Sequence, residues 1–226
     1  MEYTTLFLDL DNTLLDFSKS EEWAITKTLE EFGLPSDVET ARLYSEINSS
    51  YWKRFEKGEI PKNAIFEGRF KTLLSVLNRE GDTKLISEFY CKCLSTTYFK
   101  VDGADEVLTY LKNQGYKLYA TTNGFAFTQK NRIEKSGLKK YFDAVFISED
   151  LKAQKPEKEY FEACIMGIPE KDKSKILIVG DSQSSDILGG LNVGIDTCWF
   201  KQSSETAKYH SNYTIESLKE LTEILY

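Results

Sequence analysis

Thr5-Leu6-Phe7-Leu8-Asp9-Leu10-Asp11-Asn12-Thr13-Leu14 is an apolar run that breaks into two carboxylates one residue apart. Residues Thr5 to Leu10 show no polar alternation, as expected of a parallel strand covered on both faces. Similar runs follow at Lys117 to Thr122, Ala144 to Ser148 and Ile176 to Gly180, with a fifth at Ile195 to Phe200. Helical patterns lie between the later runs: Ala104 to Asn113, Phe125 to Lys135, Pro156 to Met166 and Ser185 to Asn192. Strand and helix alternate, so this part of the chain reads as βαβ units around a parallel sheet.

The stretch from Phe17 to Tyr98 has a different character. Ser18 followed by Glu21 reads as a capping box, and Ile25, Leu29 and Phe32 then recur at helical spacing. Gly33-Leu34-Pro35 ends that helix, and further helical patterns run Val38 to Glu56, Ala64 to Asn78 and Thr83 to Thr97. With no strand among them, these residues form an all-helical insertion after the first strand.

Composition narrows the function. The 226 residues suggest about one and a half domains. No run approaches the ~18 apolar residues of a membrane span, and no basic leader precedes the first strand, so a cytoplasmic protein is expected. The net charge of −7 carries no basic stripe, which argues against a nucleic acid polymer as partner but leaves a small phosphate ligand open. Four cysteines are too few for a disulfide scaffold, and the Cys91/Cys93 pair has no matching second pair. One histidine, His210, excludes multi-histidine zinc sites. Catalysis would rest on carboxylates, lysine and hydroxyls.

In open parallel sheets ligands bind beyond the carboxyl ends of the strands. At those ends lie Asp9 and Asp11, then Thr122-Asn123-Gly124, then Lys155-Pro156, and last Gly180-Asp181 with Asp186. Four aspartates with reference pKa near 3.9 would place about −4 in one pocket. Such a cluster requires a cation, a lysine or a shared proton. An all-oxygen donor set without histidine or thiolate suits Mg²⁺, which commonly serves phosphate chemistry. Each fragment alone is ordinary: D-x-D can be a turn, Thr-Asn-Gly a loop, Lys-Pro a helix start with Pro156 as its first residue, and Asp181 a strand exit. Their order at successive strand ends is what joins them.

This ordered set resembles the haloacid dehalogenase-like (HAD) hydrolase superfamily, whose motifs match D-x-D-x-T, the Thr before Asn-Gly, the Lys-Pro and G-D-x-x-x-x-D here. The resemblance implies a Rossmann-like core with helices on both faces, spanning residues 1–16 and 99–226, and an α-helical C1 cap at 17–98. More narrowly, Thr122 to Phe125, Gln154-Lys155-Pro156, Ser185 to Gly190, Gly194 to Phe200 and Tyr51-Trp52-Lys53 look like the YjjG/YfnB-type pyrimidine 5′-nucleotidase branch. By that resemblance Asp9 is the nucleophile, and Asp11 donates a proton to the leaving alkoxide before activating water. Mg²⁺ is held by Asp9, the Asp11 carbonyl and Asp181. Lys155 and Thr122 bind phosphate with the Asn123 amide, while Asp186 orients Lys155 or metal-bound water. Asp11, crowded by like charge, is expected to be the group that carries a proton. Haloacid dehalogenases lack an aspartate there because halide leaves unprotonated, so Asp11 favours phosphate esters.

The resemblance also implies substrate choice in the cap and in the loop Leu14-Leu15-Asp16-Phe17, where Phe17 could stack on a base. Trp52, Phe55, Phe66 and Phe70 serve equally as helix-packing core, and Arg54, Lys57 and Arg69 as solvated faces. The expected substrate is a nucleoside 5′-monophosphate, pyrimidine and deoxy forms first, with the cap closing over the core. A small sugar-phosphate phosphatase, a phosphoglucomutase-like transferase and a non-catalytic phosphate- or partner-binding module stay open. No membrane contact is expected, and the sequence does not set the oligomeric state, leaving it open between monomer and weak dimer.

Overall fold

The computed structural model describes residues 3–202 and 206–225; residues 1, 2, 203–205 and 226 of the expected core span lie outside the described residues. The chain divides into two compact units, Met1–Asp16 with Tyr98–Tyr226, and Phe17–Thr97. The second boundary therefore falls one residue before the expected one, with Tyr98 in the first unit.

Strand β1 (Thr5–Asp9) is buried along its whole length. The inserted unit follows as four helices: α1 (Phe17–Glu31), α2 (Val38–Glu56), α3 (Lys62–Val76) and α4 (Thr83–Leu94). Its interior joins Ala24, Ile25 and Leu29 to Tyr44, Phe70, Leu73, Ile86 and Tyr90, the i, i+4 stripes that the sequence displays. Asp37 caps α2 by accepting from the Thr40 amide, and Asp82 caps α4 by accepting from the Lys84 and Leu85 amides.

Two readings change here. Ser18 does not cap a helix, because α1 starts one residue earlier. Glu21 instead faces inward and accepts from Ser45 Oγ and Asn48 Nδ2, each at 2.6 Å. Arg69 is not on a solvated face either. It is buried, donates to Asn48 Oδ1 at 2.9 Å and lies 4.7 Å from the Tyr90 ring centroid. A buried guanidinium must be paired, and this chain of polar groups meets that need inside the unit.

The first unit continues with α5 (Ala104–Asn113), β2 (Lys117–Thr122), α6 (Ala126–Lys135), β3 (Ala144–Ile147), α7 (Ser148–Leu151), α8 (Lys158–Met166), β4 (Ile176–Gly180), α9 (Leu188–Val193), β5 (Asp196–Phe200), β6 (Tyr213–Ile215) and α10 (Leu221–Ile224). The strands form one parallel sheet in the order β3-β2-β1-β4-β5-β6. Leu6, Leu8, Leu118, Leu177 and Val179 pack on one face with α5 and Ile133 of α6. Phe7, Tyr119, Ile176 and Ile178 pack on the other with α8 and Val193 of α9. Both faces are covered, which is why the strands read as unbroken apolar runs.

Helix α8 starts at Lys158, so Pro156 is not its first residue, and a single π-helical turn at Gln183–Ile187 precedes α9. Strand β6 was not anticipated. All four cysteines are free, His210 is exposed, and no described helix is long and apolar enough to cross a membrane.

Candidate active site

Chain order reverses at β1, which is flanked by β2 and β4, and this is where an open α/β sheet leaves a crevice. Asp9 is the last residue of β1, in register with Thr121. The chain then turns tightly, with the Leu14 and Leu15 amides both donating to the Leu10 carbonyl and Asn12 left-handed at φ 60°. That turn keeps Asp11 and Thr13 at the strand end.

Lys155 crosses beneath Asp9. Its buried ammonium donates to Asp9 Oδ1 at 2.6 Å, to Asp186 Oδ1 at 2.7 Å and to the Thr121 carbonyl at 3.3 Å. Asn123 pins the lysine's backbone in return, accepting from the Lys155 amide and donating to its carbonyl, both at 2.9 Å. Asp186 also accepts from the Ser182 amide at 3.2 Å, and a Cβ on Gly180 would run into its carboxylate, so only glycine fits at that strand exit. Asp181 is tied to Thr13 both ways: its amide donates to Thr13 Oγ1 at 3.1 Å, and that hydroxyl donates to Asp181 Oδ1 at 3.3 Å.

Carboxylate oxygens of Asp9, Asp181 and Asp186 lie within 4.8 Å of one another. Three carboxylates facing one lysine leave a local excess of negative charge. Burial, with Asp186 and Asp11 adding to it, pushes the Asp9 carboxyl up to about 7 against the pull of Lys155. Desolvation, then Asp9 and Asp186, raises Asp181 well above the carboxylate range. For Lys155 burial works downward, but Asp186 and Asp9 outweigh it and hold the ammonium charged. An all-oxygen, anion-rich cluster of this kind fits a hard divalent cation such as Mg²⁺.

Thr122 ends β2, with its amide donating to Tyr160 Oη at 3.0 Å and its hydroxyl accepting from the Gly124 amide at 3.0 Å. Asp11 differs from expectation in its surroundings. The group facing it is a cation: Arg132 donates to Asp11 Oδ1, and Gln129 Nε2 donates to Oδ2 at 2.7 Å. Neither residue was picked out in the sequence. The available signal was their i, i+3 spacing on the helix that follows Thr122. Phe17 opens α1 in the inserted unit, half-buried against that unit's core. Phe55 and Phe70 are buried core, Trp52 packs edge-on against Phe55 at 5.8 Å, and Arg54 and Lys57 are exposed.

The family model for haloacid dehalogenase-like hydrolases matches residues 6–200, from β1 through β5. The chain belongs to the haloacid dehalogenase-like hydrolase family. It is 36% identical over 228 residues to the pyrimidine 5′-nucleotidase PynA of Streptococcus pneumoniae, covering 100% of this chain and 96% of that one. It is 29% identical over 227 residues to the pyrimidine 5′-nucleotidase YjjG of Escherichia coli, covering 100% and 99%. A crystal structure of the HAD-hydrolase YfnB from Bacillus subtilis, bound to magnesium, superposes with a TM-score of 0.93 at 35% identity over 100% of this chain and 99% of that one.

The raised carboxyl of Asp9 gives this HAD hydrolase a testable pH dependence. A carboxyl whose folded pKa exceeds its unfolded value binds its proton more tightly when folded. Its stabilising contribution is complete below the unfolded pKa near 4 and is lost as pH rises through the folded value of about 7. In EDTA, wild-type protein is expected to lose about 1 kcal/mol, roughly 3 °C in Tm, between about pH 6 and about pH 8 relative to Asp9→Asn. Thermal melts of both proteins check this, and a wild-type Tm that is flat or rising against the variant contradicts it.

Proposed function

We propose that this chain is a Mg²⁺-dependent phosphatase that hydrolyses nucleoside 5′-monophosphates, pyrimidine and deoxy forms first, through an aspartyl-phosphate on Asp9. The observation that carries the reading is the buried ammonium of Lys155 shared between Asp9 and Asp186, with a second working carboxylate, Asp11, two residues along. The substrate class is supported by the activities for which PynA and YjjG are named.

Lys155 occupies Asp9 Oδ1, so Oδ2 is the oxygen left to attack phosphorus. The leaving nucleoside alkoxide takes a proton from Asp11, which then accepts one from the water that hydrolyses the acyl phosphate. Thr122 and the Asn123 amide bind phosphoryl oxygens, and Lys155 offsets charge on the nucleophile. Asp9, Asp181 and the Asp11 carbonyl would hold Mg²⁺, which supplies charge neutralisation for an anionic nucleophile meeting an anionic ester. Asp186 holds Lys155 in place. Residues 17–97 form the cap.

Phosphate release from a panel of nucleoside monophosphates and sugar phosphates, with Mg²⁺ and with EDTA, tests the reading. Release is expected to peak on dUMP or dTMP and to fall by about 10²-fold or more in EDTA. Preference for a sugar phosphate by about two orders of magnitude over every nucleotide would overturn the substrate class.

A further inference from the structure

Gln129 and Arg132 lie one helical turn apart on α6, both fully covered, at 1% and 0% exposure. The Asp11 carboxylate that they hold is 28% exposed. Thus the supports are buried while the group they support reaches the open end of the strand. Gln129 uses all of its amide. Nε2 donates to Asp11 Oδ2 at 2.7 Å and to Thr122 Oγ1 at 2.8 Å, and Oε1 accepts from Arg132 Nη1 at 3.1 Å. Arg132 Nη1 also donates to Asp11 Oδ1, closing a ring of three side chains. The ring sets which way the amide faces, because a flipped Gln129 would turn its carbonyl oxygen onto a carboxylate.

The same contacts orient Thr122. Its hydroxyl oxygen already accepts from the Gly124 amide at 3.0 Å and from Gln129 Nε2. A threonine hydroxyl has two acceptor lone pairs and one hydrogen. With both lone pairs engaged, the hydrogen must donate outward, as binding of a phosphoryl oxygen requires. The fit is close: a Cβ on Gly124 would lie 2.6 Å from Gln129 Nε2. Burying a guanidinium carries a large desolvation cost, and one acceptor that offsets it here is a side chain of the reaction itself.

We infer that Gln129 and Arg132 are positioning residues that jointly aim Asp11 at the leaving oxygen and the Thr122 hydroxyl at the phosphoryl group. This rests on the roles given to Asp9 and Asp11 above. Neither residue touches the reacting atoms, so their effect is felt through the two side chains that do.

The test compares two esters in single-turnover experiments with Mg²⁺. Uridine 5′-monophosphate expels an alkoxide that needs a proton, whereas p-nitrophenyl phosphate expels a phenolate that does not. Arg132→Met is expected to slow phosphoryl transfer from uridine 5′-monophosphate by about 100-fold, and the first-turnover burst of nitrophenolate by less than about threefold. Arg132→Lys should recover part of the alkyl-ester rate. Gln129→Met should show the same selectivity and raise KM for both esters, since it also releases Thr122. Gly124→Ala, which displaces Gln129 while leaving the Asp11 and Arg132 side chains in place, should repeat the selectivity if the first two variants fold poorly.

Equal losses on both esters, or full activity in a folded Arg132→Met protein, overturn the inference. Asp11→Asn is the control that separates it from the reading beneath. If Asp11→Asn is selective for the alkyl ester and the α6 variants are not, only the positioning role falls. If Asp11→Asn shows no selectivity, the acid–base role of Asp11 falls first.

Discussion

Asp9→Asn is expected to cut phosphate release by about 10⁴-fold or more on every ester, because the amide cannot act as the nucleophile and the covalent route closes. The same change should leave the metal-free protein at least as stable as wild type. Asp9 is one of three carboxylates facing a single lysine, its carboxyl is already pushed up to about 7, and asparagine keeps its shape without its charge. Activity and stability therefore move in opposite directions, as at a site built for chemistry at some cost to folding. Phosphate release with Mg²⁺ and thermal melts in EDTA read the two quantities separately. Retention of more than about one per cent of wild-type release would exclude Asp9 as nucleophile.

Lys155→Gln should do the reverse to stability. Its ammonium is 2% exposed and is the cation shared by Asp9 and Asp186. Its removal leaves two buried carboxylates uncompensated, which costs about 3–5 kcal/mol above about pH 8, where Asp9 as well as Asp186 carries charge. Urea denaturation in EDTA measures this, and a loss below about 1 kcal/mol would mean that the carboxylates are not both charged in the folded protein. Activity should fall by about 10²–10³-fold, the usual range for one electrostatic stabiliser. Adding Asp186→Asn separates the two effects. The double variant should regain much of the lost stability, since one of the stranded carboxylates is gone, and none of the activity.

The alternation of strand and helix was legible because both faces of the sheet are covered, so β1, β2 and β4 are uninterrupted apolar runs that end abruptly in polar residues. Strand β6 was not, since Tyr213–Ile215 is three residues long and follows the polar stretch Lys208 to Ser211, leaving no periodic signal. Ser18 and Glu21 have the spacing of a cap, but tertiary contacts claim Glu21 for the interior, and local pattern cannot register an acceptor needed by Ser45 and Asn48. Arg69 misleads and Arg132 goes unnoticed for a common reason. Charge in a helix reads as solvent-facing, and only the folded molecule reveals the acceptor that makes burial tolerable. Asp9, Asp11 and Asp181 were visible as candidates because each stands at or just beyond a strand end, and Lys155 and Asp186 because they lie in the stretches that lead into α8 and α9. Which of them touch is set by loop geometry, such as the Asn123–Lys155 backbone clasp, that no spacing encodes.

The sheet order also bears on how the molecule is made. Strand β1 lies in the interior of the sheet, yet both of its neighbours come from beyond the inserted helices: Leu8 pairs with Ala120 on one side and Val179 on the other. Translation proceeds from the N-terminus at about 5–20 residues per second, so Leu6-Phe7-Leu8 emerges on the order of ten seconds before either partner strand exists. Throughout that interval the nascent chain carries an unpaired apolar strand, the kind of segment that chaperones engage and that aggregates when synthesis stalls. A ribosome arrested anywhere in the helical insertion would hold Asp9 without Lys155, Asp181 or Asp186, and with no sheet to belong to.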